Sequence, residues 1–273
     1  MTTYFILSIL LMAIYFSYRY AWWKRAVDYR YPRILMYHMV RDSIPGKKFN
    51  SLRVSPENFE IQIKYLHDNG WHSYTMTEAI FQKKNLPSKS VVITFDDGYQ
   101  DNLTNALPIL KKYGFKATIY LVNDRQDRDW SGYRKAKNEG AGLKEESKLS
   151  DDEVRELLGS GLIEIGAHTL THVNLNSLSA EEAQNEICVS KERIEAQFQT
   201  VCHSFAYPFG LYSPRDKKIV AGCNYTNAVT TKVGIADLNE CNSYEIPRVT
   251  VSGKDNFFVF ILKLKTGKRG VRK

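Results

Sequence analysis

The sequence predicts an α/β fold in which helices cover a mostly parallel sheet, either open or closed into a barrel. From residue 32 onward, short apolar and β-branched runs alternate with amphipathic stretches of helical period. The chain has 273 residues, of which 43% are hydrophobic and 25% charged. This composition is typical of one large folded domain with a short appendage and argues against a disordered chain.

Start and stop signals delimit several of these elements. Ser55 and Gly70 bound the helix in SPENFEIQIKYLHDNG, Gly114 ends NALPILKKYG, and Ser150 forms a capping box with Glu153 in SDDEVRELLGSG. The remaining predicted helices are SAEEAQNEICVSKERIEAQF and PRDKKIVAGC. The predicted strands, in chain order, are RILMYHMV, SVVITF, KATIYLV, LIEIGAH, SFAYPFG, YTNAVTT and EIPRVTV.

The N-terminal run YFILSILLMAIYFSY carries no charge and is followed by RYAWWKR. A spanning helix needs roughly 17–25 residues, a length reached here if Arg19 snorkels and Trp22 and Trp23 lie in the headgroup layer. We therefore predict a transmembrane anchor over 1–30 and a main domain over 31–273. A cleaved signal peptide is the alternative, but no basic segment precedes the run. A core helix is the third alternative.

The charge distribution predicts orientation and partners. Five basic residues follow the apolar run and none precedes it, which predicts a single-pass protein of the inner or plasma membrane whose main domain faces the cytoplasm. The exported orientation is the alternative. A net charge of +8 favours anionic surroundings such as phospholipid headgroups, and no nucleic-acid motif accompanies it. The sequence does not indicate an oligomeric state.

The cysteines show no clear framework. None of the four forms a C-x-x-C pair, which argues against a zinc knuckle. We interpret them as mostly free thiols in a reducing compartment. They are Cys188, Cys202, Cys223 and Cys241.

Two polar motifs follow predicted strands. VVITFDDG ends in Asp96 and Asp97, whose charges repel unless a cation or hydrogen bonds compensate; a simple Asp-Gly turn is the alternative. EIGAHTLTH places His168 and His172 four residues apart, a spacing that points both the same way if the chain turns into a helix. Strand ends converge on one face of an α/β fold, so one aspartate and two histidines predict a metal site with open positions. The other aspartate is left to act as a base.

TFDDG and HTLTH, in this order, resemble the motifs of NodB-type polysaccharide deacetylases, carbohydrate esterase family 4. The resemblance implies a distorted (β/α) barrel. It implies that Asp96 is the general base, and that Asp97, His168 and His172 hold a divalent metal. Zn²⁺ is the first candidate, with Co²⁺, Ni²⁺ or Fe²⁺ as alternatives.

FAYPFG resembles the family's Arg-x-Pro-Tyr-Gly motif. The resemblance implies that the backbone N–H of Phe209 donates to the reaction's oxyanion and that Tyr207 contributes to substrate binding. Ala206 stands where the family has an arginine that orients the base. Arg248, in the late strand EIPRVTV, is our candidate for that task; a surface ion pair is the alternative.

The family's Leu-x-His motif near the C-terminus is missing, but ILMYHMV, early in the chain, has the same shape and ends its strand at His38. This resembles the permuted branch that includes the deacetylases of poly-N-acetylglucosamine. The first and last strands of a closed barrel are neighbours, so a permuted site keeps its geometry. The resemblance implies that His38 is the general acid.

The segment 123–148 interrupts the alternation with a charged, glycine-containing stretch after a strand. A loop of this length in a compact domain is usually functional or disordered. We interpret it as a lid or substrate-contacting loop, with Trp130 and Tyr133 as sugar-stacking platforms. A solvated insertion is the equal alternative.

Together these features imply a metal-dependent hydrolase that removes the N-acetyl group of an N-acetylhexosamine. The expected substrate is a membrane-proximal glycan: a cell-surface polysaccharide, a lipopolysaccharide intermediate or a lipid-linked sugar. An O-acetyl glycan esterase is one alternative. A catalytically silent glycan-binding membrane protein is another, which the presence of Asp96 and His38 argues against. A glycosidase fits less well, because adjacent aspartates cannot flank a scissile bond at roughly 5–9.5 Å.

Overall fold

A computed structural model describes residues 2–126, 128–131 and 142–270. Its helices are α1 (Thr2–Tyr20), α2 (Pro56–Asp68), α3 (Met76–Phe81), α4 (Leu107–Tyr113), α5 (Asp151–Gly159), α6 (Ala180–Gln184), α7 (Ser190–Phe198), α8 (Pro214–Gly222) and α9 (Phe257–Thr266). Its strands are β1 (Arg33–Tyr37), β2 (Met39–Val40), β3 (Arg53–Val54), β4 (His72–Tyr74), β5 (Ser90–Asp97), β6 (Ala117–Leu121), β7 (Ile163–Ala167), β8 (Ser204–Ala206), β9 (Asn227–Val233) and β10 (Ile246–Thr250).

In the described part of the chain, seven parallel strands close into a barrel. They lie in the order β1, β10, β9, β8, β7, β6, β5, and β1 pairs with β5 to complete the ring, with Arg33 opposite Val91 and Tyr37 opposite Phe95. Strand β4 adds to the start of β5, and β2 pairs with β3 outside the ring. This confirms the predicted (β/α) barrel and puts the carboxyl ends of all seven strands on one face.

The local signals explain most of the elements. Strand β5 is buried along its whole length, as an apolar run between layers requires. Ser55 caps α2, and Ser150 and Glu153 form the predicted capping box of α5. Two helices differ from prediction by a π-helical turn. One turn, Asn102–Ala106, precedes α4, and the other, Asn185–Val189, divides the predicted long helix into α6 and α7.

The predicted transmembrane helix is wrong. Helix α1 covers the apolar run, but no helix among the described residues is long and apolar enough to cross a membrane. Serine and tyrosine residues within α1 lower its mean hydropathy, so its length alone does not make it a span. The end of α1 packs on α9, with the rings of Phe16 and Phe258 6.0 Å apart. The expectations that depended on this span are wrong as well: the anchor over 1–30, the single-pass localisation and the cytoplasmic orientation.

The cysteine interpretation is wrong for one pair. Cys188, in the second π-helical turn, forms a disulfide with Cys223 at the end of α8, with their Cα atoms 5.3 Å apart. Cys202 and Cys241 are free thiols. The pair is 35 residues apart in sequence and meets only because neighbouring helices pack together, which spacing alone does not reveal. The reducing compartment was inferred from free thiols, so the disulfide removes the basis for that inference.

Candidate active site

A cavity of about 500 Å³ opens at the carboxyl ends of the barrel strands. Seven of the nine residues predicted for the site line it, and further lining residues, among them Ser51, Thr231 and Ser252, add hydroxyl groups. These seven are Asp96, Asp97, His38, His168, His172, Phe209 and Trp130, whereas Arg248 and Tyr207 lie behind the wall of the cavity.

The backbone at Asp97 explains how two adjacent carboxylates face one cavity. Successive side chains of a strand normally point to opposite faces. Asp97 has a φ of 78°, in the left-handed region, which turns its side chain to the same side as that of Asp96. Aspartate tolerates this conformation better than most residues, and such local strain is concentrated at functional sites.

The two histidines converge without the predicted helix. Two left-handed residues, Thr169 with φ 67° and His172 with φ 58°, fold the chain after β7 into a tight loop. The Nε2 atoms of His168 and His172 lie 3.4 and 3.1 Å from Oδ1 of Asp97. The three side chains are buried, and their ligating atoms all lie within 4.8 Å of one another.

The chemistry of this set fits a divalent cation. Nδ1 of His168 lies 2.7 Å from the carbonyl oxygen of Ala206, so Nδ1 carries the proton and Nε2 presents its lone pair. Burial alone would raise the pKa of the Asp97 carboxyl, but the two histidines outweigh it and hold that pKa well below its usual range. Burial also lowers the pKa of His172. An ionised carboxylate and neutral imidazoles are the forms that bind metal.

Glu186, which the sequence analysis missed, fixes the loop between the two histidines. Its carboxylate accepts hydrogen bonds from the backbone N–H and the hydroxyl of Thr171, at 3.0 and 2.8 Å. Its carbonyl oxygen accepts from the N–H of Leu170 at 3.2 Å. Glu186 belongs to the second π-helical turn, so the loop geometry depends on a residue far away in sequence.

Arg248 contacts Asp96 directly. Its two terminal nitrogens donate to the two oxygens of the Asp96 carboxylate, each at 2.7 Å, and Nε donates to the carbonyl oxygen of Thr230 at 2.9 Å. Arg248 is fully buried in β10. Burial alone would raise the pKa of Asp96, but the guanidinium outweighs it, with help from His38, and the pKa lies below its ordinary value. The planar fork of arginine also fixes the orientation of the carboxylate.

Replacing Arg248 with methionine is expected to destabilise the protein by about 3–5 kcal/mol at neutral pH, because it leaves a buried carboxylate without a partner. Urea unfolding measures this loss. The double variant Asp96→Asn with Arg248→Met is expected to regain most of it. The depressed pKa of Asp96 contributes stability that is fully present above its unfolded value of ~3.9 and is lost as the pH falls through the lower folded value. The difference between wild type and Arg248→Met should therefore shrink as the pH falls below ~4. A double variant no more stable than Arg248→Met would contradict this account.

The remaining predicted residues take different positions. His38 lies half-buried at the end of β1 and lines the cavity. Phe209, with φ 58°, packs its ring 4.5 Å from that of His172. The ring of Trp130 lies 4.7 Å from that of His172 at a tilt of 38°, and Trp130 is only 1% exposed, so it forms a wall and not an open platform. Tyr207 instead donates to the carbonyl oxygen of Tyr244 at 3.0 Å, away from the cavity.

The loop predicted as a lid is described only in part. Residues 127 and 132–141, and with them Tyr133, lie outside the described residues. Of the described residues, Trp130, Ser131 and Leu143 line the cavity. Lys148 is the last residue of the segment, and its Nζ lies 4.9 Å from the ring centroid of Trp130.

The fold and the site are those of a carbohydrate deacetylase, and the comparison with known families agrees. The family model described as polysaccharide deacetylase matches residues 83–228, which include both motifs. The chain belongs to the polysaccharide deacetylase family and is a hydrolase of that class.

Three relatives show how far the similarity extends. The chain is 35% identical over 235 residues, 85% of its own length and 75% of the relative's, to the Bacillus subtilis protein YxkH, whose name places it among the polysaccharide deacetylases. It is 29% identical to the poly-β-1,6-N-acetyl-D-glucosamine N-deacetylase of Staphylococcus aureus, over 80% of this chain and 73% of that one. The structure of the Streptococcus pyogenes deacetylase PplD in complex with acetate matches with a TM-score of 0.72 and 27% identity, over 88% of this chain and 99% of that one.

Proposed function

We propose that this protein is a metal-dependent N-deacetylase that hydrolyses the acetamido group of N-acetylhexosamine residues in a glycan. One observation carries the proposal: the cluster of Asp97, His168 and His172 lines the same cavity as Asp96 and His38. Metal ligands, a candidate base and a candidate acid are thereby available to one bound acetamide.

Asp97, His168 and His172 would hold the metal. Zn²⁺ suits two imidazoles and a carboxylate best, and Co²⁺, Ni²⁺ or Fe²⁺ share these ligand preferences. When bound, a divalent cation there would supply Lewis acidity towards the acetyl carbonyl and would lower the pKa of water towards ~7.

The side chains of this chain perform the proton transfers. Asp96, kept ionised and oriented by Arg248, accepts the proton of the attacking water. The backbone N–H of Phe209 donates to the oxyanion that develops on the acetyl group. His38 gives a proton to the departing nitrogen as the C–N bond breaks. The products are acetate and a free amine.

The walls of the cavity support a sugar as substrate. Trp130 and Phe209 offer apolar ring surface, and Ser51, Thr231 and Ser252 offer hydroxyl groups. An apolar wall with a few convergent polar groups is the usual lining of a small-molecule site. The described residues of segment 123–148 that line the cavity support its role in contacting substrate. The activity named for the Staphylococcus aureus relative supports an N-acetylglucosamine polymer as the first candidate. Membrane proximity is not part of the proposed substrate, because that expectation depended on the spanning helix.

Mass spectrometry of an oligosaccharide panel tests the proposal. The panel contains N-acetylglucosamine oligomers with β-1,6 and β-1,4 links and O-acetylated xylo-oligomers, each incubated with metal-loaded protein and with the Asp96→Asn variant. Loss of acetyl groups from the N-acetylated oligomers by the wild type, and far less by the variant, is expected. Loss from the O-acetylated oligomers alone would identify an esterase and contradict the proposal.

A further inference from the structure

The stretch that follows the two aspartates contacts the backbone around His38. In the order D-D-G-Y-Q-D-N, it runs from Asp96 directly into the first π-helical turn. Nδ2 of Asn102 donates to the carbonyl oxygen of His38 at 2.9 Å. Oδ1 of Asp101 accepts from the N–H of Val40 at 3.0 Å. Asp101 and Asn102, which are adjacent at the start of the π-helical turn, thus hold the backbone on either side of Met39.

The orientation of the Asn102 amide follows from these contacts. Its Nδ2 also lies 3.1 Å from Oδ1 of Asp101, so the same nitrogen faces two oxygen atoms. A flipped amide would place oxygen against oxygen, so the two acceptors fix its orientation, although Oδ1 of Asn102 is buried without a hydrogen-bond partner among the described residues. Three residues further along the same π-helical turn, Nδ2 of Asn105 donates to the carbonyl oxygen of Val40 at 2.8 Å. Backbone groups of His38 and Val40 are thus held by three side chains.

These contacts hold the backbone beyond the end of strand β1. Strand β1 ends at Tyr37, whose partner in β5 is Phe95, and His38 follows one residue later. Beyond that point, the barrel ladder no longer fixes the backbone that carries the imidazole. The side chains of the π-helical turn, together with the pairing of β2 with β3, therefore hold the backbone of His38 in place relative to Asp96.

The burial of this cluster favours a functional reason for it. Asn102 is 1% exposed and Asp101 is 9% exposed. Burial raises the pKa of Asp101 to about 6, although the N–H of Val40 and the charge of Arg41 oppose the rise. Buried polar groups cost free energy that an apolar side chain of similar size would not. π-Helical turns are rare and are frequently found at functional sites.

We propose that Asn102, supported by Asp101 and Asn105, is a positioning residue that holds His38 in the geometry for protonating the leaving amine. This inference rests on the proposed function, since it assigns His38 the role of acid. It explains why one continuous stretch carries both aspartates and the support of a histidine that lies 58 residues earlier in the chain. A displaced His38 impairs departure of an amine far more than departure of a good leaving group.

Steady-state kinetics of Asn102→Leu test the proposal, with Thr104→Ala, an exposed position in the same turn, as the matched control. On an N-acetylglucosamine oligomer, kcat is expected to fall by about 10²-fold with KM nearly unchanged. On an aryl acetate, which needs little protonation of its leaving group, the loss is expected to stay within a few-fold. In a His38→Ala background, Asn102→Leu is expected to cause little further loss, because both changes remove the same contribution. Equal losses on both substrates, or additive losses, would overturn the inference.

A second readout does not depend on deacetylase activity. In protein labelled with ¹³C in the histidine rings, the His38 resonance, assigned by its disappearance in His38→Gln, is expected to shift in Asn102→Leu and to stay in place in Thr104→Ala. The exposed His67 provides an internal reference. An unchanged His38 resonance would overturn the inference, even if the wild type proved inactive on amides and the proposed function failed. If Asn102→Leu does not fold, Asn105→Ala, at a half-buried position, is expected to shift the same resonance.

Discussion

Replacing His168 or His172 with alanine is expected to remove most of the bound metal and to lower acetate release by roughly 10³-fold or more. Each histidine supplies one of three ligands, and a site left with two retains little affinity. A metal that polarises a carbonyl contributes several kcal/mol to transition-state stabilisation, which corresponds to this factor. Elemental analysis and acetate release on the purified variants measure the two effects.

The matched control for this experiment is His67→Ala, because the side chain of His67 is largely exposed and contacts Asp68 and Tyr113 at the surface. Its metal content and activity are expected to equal those of the wild type. Circular dichroism is expected to show that all three variants keep the barrel. Full metal occupancy in both His168→Ala and His172→Ala would show that the cluster is not the metal site.

Replacing His38 with alanine is expected to lower kcat on an N-acetylated oligomer by about 10²–10⁴-fold, the usual contribution of a general acid. An amine anion is a very poor leaving group, so the C–N bond breaks only as the nitrogen receives a proton. Metal content and KM are expected to change little, because His38 acts in the transition state and not in substrate binding. The comparison substrate is an activated aryl acetate, on which the loss is expected to be much smaller.

The alternative role of His38 is structural, since it is half-buried at the end of β1. In that case, His38→Ala would lower the melting temperature, and activity on amide and ester would fall together. Equal losses on the two substrates would therefore argue against a permuted acid. Retained melting temperature with a selective loss on the amide is the result that we expect.

The sequence predicted the barrel and the residues at its strand ends for a physical reason. Strands that are buried on both faces show as apolar runs, and polar residues directly after such runs fall on one face of a parallel barrel. Asp97, His168 and His172 were predicted to meet on this basis, and the structure brings them together. Because Ala206 stands where the family has an arginine, Arg248 was predicted to orient Asp96, and the two residues form a hydrogen bond in the structure.

Other features depend on information that local patterns do not carry. The left-handed backbone at Thr169 and His172 replaces the helix that the four-residue histidine spacing predicted. The disulfide of Cys188 depends on helix packing, and so does the contact of Glu186 with the loop. Tyr207 was predicted from motif position alone, yet its side chain packs on Tyr212 with ring centroids 4.3 Å apart.

The N-terminal helix shows the limit of counting apolar residues. An uncharged run with flanking aromatic and basic residues was read as a span, yet the helix it forms is not apolar enough. The localisation that depended on it was wrong for the same reason. The proposed metal site depends on side chains from separate strands, so the error does not extend to it.

Metal-dependent release of free amine tests the central claim most directly. The protein is stripped with a chelator, dialysed and reloaded with Zn²⁺, and acetate and free amine are quantified after incubation with a β-1,6-linked N-acetylglucosamine oligomer. The account predicts that the stripped protein is inactive and that the reloaded protein releases acetate and amine in equal amounts. Equal amine release by the stripped and reloaded protein, or release of acetate without any amine, would contradict it.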